Sequence, residues 1–412
     1  MEAVIFYCIV TLVVLNYIFE RYLDHLNSKS WSSNLPKELQ GLYDEKEYQR
    51  SKLYNQEKEK LSFWSGLLSI SATLILLLSD GFYWIYAHCE SIVDGDLLTP
   101  LIFFAVLGGF NFILGIPFSY YNNFKIEESF GFNKMTPKLF IVDLFKGLLL
   151  SSIIMGALLS AFIYFYLAFP EYFWLYAWIA FSLFSLIMAA FYVDLIVPIF
   201  NNLSPLKDEE LMKKIEALAK NTNFPLDKIS VIDGSKRSSK ANAYFSGIGF
   251  KKSIVLFDTL IEDHSHDELI AVLAHEIGHY KKKHVLWNFT LSIISMFVTL
   301  FILGWCIQTP DLSKALGASE INFALGLIAF SFLYSPISML TGMGMNILSR
   351  KFEYQADAYA NTHASGKALG DALKRLSVKH LSNLTPHSAY VFVNYSHPTL
   401  LQRLNALKKL KN

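Results

Sequence analysis

Seven apolar stretches, each long enough to cross a bilayer, constrain this chain more than any other feature. Their limits fall near residues 2–20, 63–87, 99–120, 143–169, 172–200, 285–307 and 322–347. About 20 residues of helix span the hydrocarbon core, and helices satisfy their own backbone where no water is present. The fold class expected is an all-α membrane protein. Of the 412 residues 53% are hydrophobic and 17% charged, too apolar for a soluble domain of this length. The first stretch has no small-residue cleavage site and runs on into Tyr17-Ile18-Phe19-Glu20-Arg21, as a retained helix does rather than a removed signal peptide. Polar and glycine residues interrupt the last two, so their limits are soft.

Charge sets the orientation. The loop after the first stretch carries Lys29, Lys37, Lys46, Arg50, Lys52, Lys58 and Lys60, and the third loop has Lys125, Lys134 and Lys138. The second loop, from Glu90 to Leu98, and the fourth, Phe169–Glu171, have no Lys or Arg, and the sixth has only Lys314. The long fifth loop and the C-terminal region are basic. Basic loops stay cytosolic, so the N-terminus is expected outside and the C-terminus in the cytosol. The formal net charge of +1 leaves no nucleic-acid footprint. Cys8, Cys89 and Cys306 sit within or beside apolar spans without zinc or disulfide spacing, and read as packing residues.

Within the fifth loop lies His275-Glu276-Ile277-Gly278-His279, an H-E-x-x-H run just before the sixth apolar stretch. Residues four apart on a helix are separated by about 40°, so both rings reach one ion. Neutral imidazoles suit zinc, and Glu276 lies where it can take a proton from a water at the open coordination position. Ser265-x-x-Glu268 reads as a capping box opening this helix, and Leu269, Ile270, Val272 and Leu273 give it an apolar side. A chance match on an amphipathic helix and the helical histidines of a transporter are the competing explanations.

Four segments follow from this pattern: 1–200 with five membrane helices and a long cytosolic first loop, 201–284 with short strands and the metal helix, 285–348 with the last two membrane helices, and 349–412 as a cytosolic C-terminal region. Asp208–Lys220 is expected to be an amphipathic helix. Lys228–Ile232, Ala241–Phe245 and Ser253–Phe257 read as strands, with turns at Gly234, Gly247 and Gly249. Ser349–Thr362, Lys367–Lys379 and Thr399–Lys411 read as helices. The soluble parts are too small to stand as two free domains and are expected to build one site together. His264, His266 and His284 are expected at the surface or at a junction, His284 on a quite different helix face from His275.

A catalytic zinc needs a third protein ligand. Glu353 and Asp357 share a helix face in Ser349-Arg350-Lys351-Phe352-Glu353-Tyr354-Gln355-Ala356-Asp357. One carboxylate suits the metal and the other suits the free nitrogen of a ligating histidine. A solvated face of mixed charge explains the same spacing. Ser396-His397-Pro398 and Arg403 offer a histidine and an arginine for an oxyanion, although a lone His-Pro in a loop is commonly structural. Asn242-Ala243-Tyr244-Phe245 reads as a strand able to hold an extended peptide, or as an ordinary core strand. Asp80, Asn111, Asp143, Lys146, Asp194, Asn288 and Asn346 lie within spans, where polar groups face a bundle interior or water. Asp143 and Lys146 are spaced to pair one turn apart.

Taken together, these pieces resemble the CAAX prenyl protease 1 family of integral-membrane zinc endopeptidases, and the likeness covers nearly the whole chain. It rests on the H-E-I-G-H run, the Ser349–Asp357 run, Asn242-Ala243-Tyr244 and Ser396-His397-Pro398 with Arg403, supported by Gly131-Phe132-Asn133-Lys134-Met135-Thr136 and Pro198-Ile199-Phe200-Asn201. The resemblance implies a barrel of seven helices around a water-filled chamber, with one zinc per chain at its cytosolic end. It implies His275, His279 and Glu353 as ligands, Glu276 as base and Asp357 as support for a ligand. His397 and Arg403 would lie near the transition state, and Asn242, Ala243 and Tyr244 would bind substrate backbone. It further implies removal of the last three residues after a prenylated cysteine, with a second cut nearer the N-terminus in some members; the protein is expected to be a monomer. The chain is shorter than eukaryotic members, which fits a bacterial inner membrane as well as the endoplasmic reticulum and leaves unprenylated substrates open. The competing functions are a membrane quality-control protease of the HtpX type, a metal transporter and a non-catalytic scaffold.

Overall fold

A computed structural model describes residues 1–32, 35–226, 228–246 and 253–410. The turns expected at Gly247 and Gly249, and Lys411 and Asn412 at the end of the last expected helix, lie outside the described residues. The described chain forms sixteen α-helices. They are α1 (Glu2–Lys29), α2 (Glu45–Leu78), α3 (Gly81–Ile92), α4 (Leu98–Tyr121), α5 (Pro137–Ala168), α6 (Phe173–Leu195), α7 (Val197–Phe200), α8 (Glu209–Asn221), α9 (Asp258–Asp263), α10 (His266–Lys281), α11 (His284–Cys306), α12 (Pro310–Lys314), α13 (Phe323–His363), α14 (Gly366–Lys379), α15 (Ser388–Asn394) and α16 (Leu400–Lys409). Seven are long and apolar enough to cross a membrane: α1, α2, α4, α5, α6, α11 and α13.

Two boundaries differ from those expected. The second span does not run to residue 87: α2 stops at Leu78 and Asp80 adopts φ +52°, so the chain turns into α3. A Cβ on Gly81 would lie 2.8 Å from the Leu76 side chain and 3.0 Å from its Cα, so the turn needs glycine. The seventh span and the Ser349–Thr362 helix are one continuous helix of 41 residues, α13. At 1.5 Å per residue it is about 60 Å long, roughly twice a hydrocarbon core, so its last turns carry Glu353 and Asp357 well past the apolar segment.

The membrane helices pack closely at the end remote from α10. Ile9, Leu77, Phe82, Phe103, Phe162, Phe173, Leu303 and Phe323 form one buried cluster. These positions lie at the ends of their helices remote from α10. Along the middle of three of these helices, glycines lack such neighbours. Gly108, Gly109 and Gly115 of α4, Gly147 and Gly156 of α5, and Gly342 and Gly344 of α13 have nothing within 4 Å of where a Cβ would stand. Small residues in tightly packed membrane helices normally sit at close helix contacts. Here no protein atom packs against them.

Beyond the spans a four-stranded sheet, β1 (Leu203–Pro205), β2 (Lys228–Ile232), β3 (Ala243–Ser246) and β4 (Ser253–Phe257), has the order β1-β2-β4-β3. β2 and β4 are parallel, with Lys228 opposite Ser253; the other pairs are antiparallel, with Ala243 opposite Leu256. The sheet, α8, α10 and α14 enclose a second core around Leu211, Ile215, Leu256, Leu269, Leu273 and Ile277. Ion pairs fasten the two parts. Arg237 grips Asp143 of α5 with Nε–Oδ2 at 2.8 Å and Nη2–Oδ1 at 2.9 Å and also donates to the Phe200 carbonyl. Lys146 donates to the Ile199 carbonyl. The expected Asp143–Lys146 pair is therefore not made, because each finds a partner brought in by the fold. Glu127 is buried among Lys240, Tyr54 and Lys58, at 2.7, 2.7 and 3.3 Å.

Candidate metal centre

The capping box that opens α10 is formed in full. Ser265 Oγ accepts from Glu268 N–H, and the Glu268 carboxylate accepts from Ser265 N–H. Arg375 holds the same carboxylate from α14 at 3.2 Å. With its start fixed, α10 presents His275 and His279 toward α13. The helices meet closely at Gly278: a Cβ there would stand 3.0 Å from Tyr359 Cβ and 3.1 Å from Ala356 Cα. The glycine within the motif therefore sets the approach that brings Glu353 to the two histidines.

His275 Nε2 and His279 Nε2 lie 3.1 Å apart. Glu353 Oε1 is 3.2 Å from His279 Nε2, and Oε2 is 3.5 Å from His275 Nε2. Zinc bonds of about 2.05 Å in tetrahedral array separate donor atoms by about 3.3 Å; the histidine nitrogens lie near that spacing, and the two carboxylate oxygens each face one of them, with one donor atom from each residue within 4.8 Å of the others. Two bare imidazole nitrogens at such a distance repel unless a cation or proton lies between them. Among the described residues these three form the one group of His, Cys, Asp or Glu able to hold a metal ion. Donor set and spacing both fit zinc.

The remaining sequence candidates gather around this trio. Asp357, fully buried, lies 2.9 Å from His275 Nδ1. Burial opposes a charge on His275, but the hydrogen bonds to Asp357 and Glu353 outweigh it and push the group up to about 9. Arg403 of α16 donates from Nε to Asp357 Oδ2 at 2.9 Å and from Nη2 to Oδ1, and its Nη1 lies 3.3 Å from Glu353 Oε2. His397 Nδ1 is 3.0 Å from Glu353 Oε2, while most of its ring is exposed. Glu276, next to His275, is half-buried with no hydrogen bond or ion pair among the described residues. Asn242 precedes β3, its Oδ1 accepting from Ala243 N–H. Ala243 and Tyr244 lie on β3, which pairs with β4 on one side and with no strand on the other among the described residues.

Several functional contacts were not foreseen. Asn346 donates to the Val393 carbonyl at 2.7 Å, and Arg350 donates to the carbonyls of Val391 and Phe392 at 3.2 and 3.3 Å and to that of Tyr395. These bonds tie α15 and the following loop to α13 and so set His397 over Glu353. His284 lies at a junction, as expected, between α10 and α11, but it is buried rather than at the surface: it is 2% exposed, with Nδ1 3.1 Å from His279 Nδ1 and Nε2 2.9 Å from Gln355 Oε1. His264 is also buried, held by Leu260 O, whereas His266 is half-exposed against Asp208. The helical-face argument failed for His284 because α10 and α11 are separate helices, broken at Lys283 with φ +59°.

A two-histidine, one-carboxylate centre on the outer turns of a seven-helix membrane framework defines a membrane-embedded metallopeptidase. The family model "CAAX prenyl protease N-terminal, five membrane helices" matches residues 24–202, and "Peptidase family M48" matches residues 205–411. CAAX prenyl protease 1 of Saccharomyces cerevisiae is 35% identical, with 96% of this chain and 93% of that protein aligned. The human CAAX prenyl protease 1 homolog is 32% identical over the same shares, and that of Arabidopsis thaliana 35% over 97% and 96%. The crystal structure of S. mikatae Ste24p superposes with a TM-score of 0.93 at 34% identity, covering 98% of this chain and 99% of that one. The chain belongs to the CAAX prenyl protease 1 family of membrane zinc metalloproteases.

Proposed function

We propose that this protein binds one zinc ion per chain through His275 Nε2, His279 Nε2 and Glu353, and that it removes the C-terminal tripeptide after a prenylated cysteine. The converging donor atoms, with Glu276 beside them, carry the proposal. When bound, zinc polarises a peptide carbonyl and acidifies water. Glu276, adjacent to the metal ligands and engaged with no other group, takes the proton of the attacking water and returns it to the leaving amine. His397 has one ring nitrogen against Glu353 and the rest of the ring exposed, so it is placed to donate to the developing oxyanion. Arg403 has its nitrogens committed to Asp357 and Glu353. The oxyanion role read for both residues from the sequence thus narrows to His397, with Arg403 holding the two carboxylates in place.

The open edge of β3 offers main-chain pairing to an extended peptide, with Asn242, Ala243 and Tyr244 as its reading edge. A barrel open between its helices admits a lipidated chain from the bilayer while water stays in reach. The basic loops set the zinc end in the cytosol, where prenylated C-termini are made available, and put the N-terminus on the far side. Every group named comes from one chain, so a monomer can supply the whole site.

The test is cleavage of a peptide ending in Cys-a-a-X, farnesylated and unfarnesylated, by detergent-purified protein, with products read by mass spectrometry. Release of the last three residues, preferring the farnesylated peptide, is expected. Equal cleavage of unmodified membrane proteins with no lipid preference would transfer the protein to the quality-control role.

A further inference from the structure

The geometry points to His284 as a positioning residue: a buried second imidazole that fixes the tautomer and aim of His279. This inference rests on the reading of His279 as a metal ligand. A metal-binding His279 must keep Nε2 bare, since that nitrogen faces His275 Nε2 and Glu353. Its ring proton is therefore on Nδ1, which must donate. The acceptor it meets is His284 Nδ1, 3.1 Å away. That nitrogen accepts only if the His284 proton is on Nε2, and Nε2 in turn faces Gln355 Oε1 at 2.9 Å. One assignment satisfies the whole row, from the Gln355 carbonyl through both rings to the metal position. Ring orientations of this kind are assigned from the network, and here the metal end decides them.

The backbone is shaped for this contact. Were α10 to continue, residue 284 would sit about 140° around the helix from residue 279 and face away. Lys283 instead takes a left-handed conformation, which a lysine rarely adopts, and α11 starts on a new axis. Strain of this kind gathers where the surroundings hold a functional contact. Phe352 stacks flat on the His284 ring, at 4.1 Å and 10°, and fixes its plane from α13. His275 is oriented by a carboxylate, Asp357, and His279 by a neutral imidazole. The two ligands thus have partners of different charge. A neutral partner raises ligand basicity less than an anion does, which leaves more positive charge at the metal to polarise a carbonyl.

The experiment compares H284F, H284N and Q355L with wild type as detergent-purified full chains. The readouts are the rate of zinc loss to a chelator, the visible spectrum after cobalt substitution, and kcat and KM on a farnesylated peptide. Phenylalanine keeps the stack on Phe352 but cannot accept a hydrogen bond. Asparagine places an acceptor oxygen near the position of Nδ1. The expected result is zinc loss about 10- to 100-fold faster in H284F with an altered cobalt spectrum, a fall in kcat at little changed KM, and substantial recovery in H284N. Q355L should show a smaller effect of the same kind. H284F matching wild type in zinc retention and cobalt spectrum would overturn the inference, as would equal impairment of H284F and H284N. Failure of the underlying ligand assignment is separately visible: H279A would then retain zinc at one per chain.

Discussion

Two stretches of the same framework are built on opposite terms. Where α10 meets α13, helices touch at backbone distance across Gly278 and Ala356, and a polar cluster of Asp357, Arg403, Glu353 and His275 is buried with its groups bound to one another. Midway along α4, α5 and α13, glycines have no protein atom within 4 Å of where a Cβ would stand. Buried charges are held only when partnered closely, so the first region tolerates little displacement. The second has few contacts to lose. Precision is thus concentrated in the few turns that hold the chemistry, and the membrane helices serve as a frame that closes at its far end around Phe103, Phe162 and Phe173.

The largest effect should come from the group in the tight region that holds no structural bond. Glu276→Gln is expected to lower kcat by about 10²- to 10⁴-fold while zinc stays at one per chain, as metal analysis and peptide turnover would report. Zinc loss in step with activity would make Glu276 part of the metal's support and remove it as the base.

Next in size is the dependence of zinc affinity on pH. In the metal-free protein, Asp357 and Glu353 hold a proton on His275 up to about 9. Below that pH zinc must displace the proton, so apparent affinity should rise about tenfold per pH unit up to pH 9 and level off above it. A competition titration between pH 6 and 10 measures this. Affinity flat between pH 7 and 9 would mean that the closely packed polar cluster does not protonate His275 as its geometry requires.

How much of this was legible in the sequence differs between the same two regions. The metal helix was readable from local signals alone: the capping box at Ser265 and Glu268 and the spacing of His275 and His279 are both short-range. Glu353 and Asp357 were visible as a carboxylate pair but could not be told from a solvated face, since what distinguishes them is α10 packed against them. The continuity of α13 was hidden because its composition changes where it leaves the membrane. The contact of His284 with His279 was missed because a left-handed lysine carries no sequence signal, and the three-residue β1 was missed because its pairing with β2 is made only in the fold. The partners of Asp143 and Lys146 lie 94 and 53 residues away, and no local spacing announces them.

One substitution made in both regions puts the contrast to its sharpest test. At Gly278 an added methyl meets Tyr359 Cβ at 3.0 Å and Ala356 at 3.1 Å, and since the neighbouring atoms are largely backbone, α10 must shift away from α13. Gly278→Ala is expected to cost about 1–3 kcal/mol in unfolding measured in detergent and to speed zinc loss.

The same change at Gly109 of α4 adds a methyl where nothing lies within 4 Å. Alanine is the better helix former by up to about 1 kcal/mol, so Gly109→Ala should be neutral or slightly stabilising, with zinc affinity and turnover unchanged. The smallness of that effect is what gives it force. A methyl is large enough to disturb any real helix contact in a membrane protein, where glycines serve to let backbones approach. A loss of more than about 1 kcal/mol at Gly109, checked at Gly147 and Gly344, would mean that these helices close on one another around the bilayer's midplane. The space between them would then be too narrow to admit a lipidated peptide to the site that Gly278 holds together.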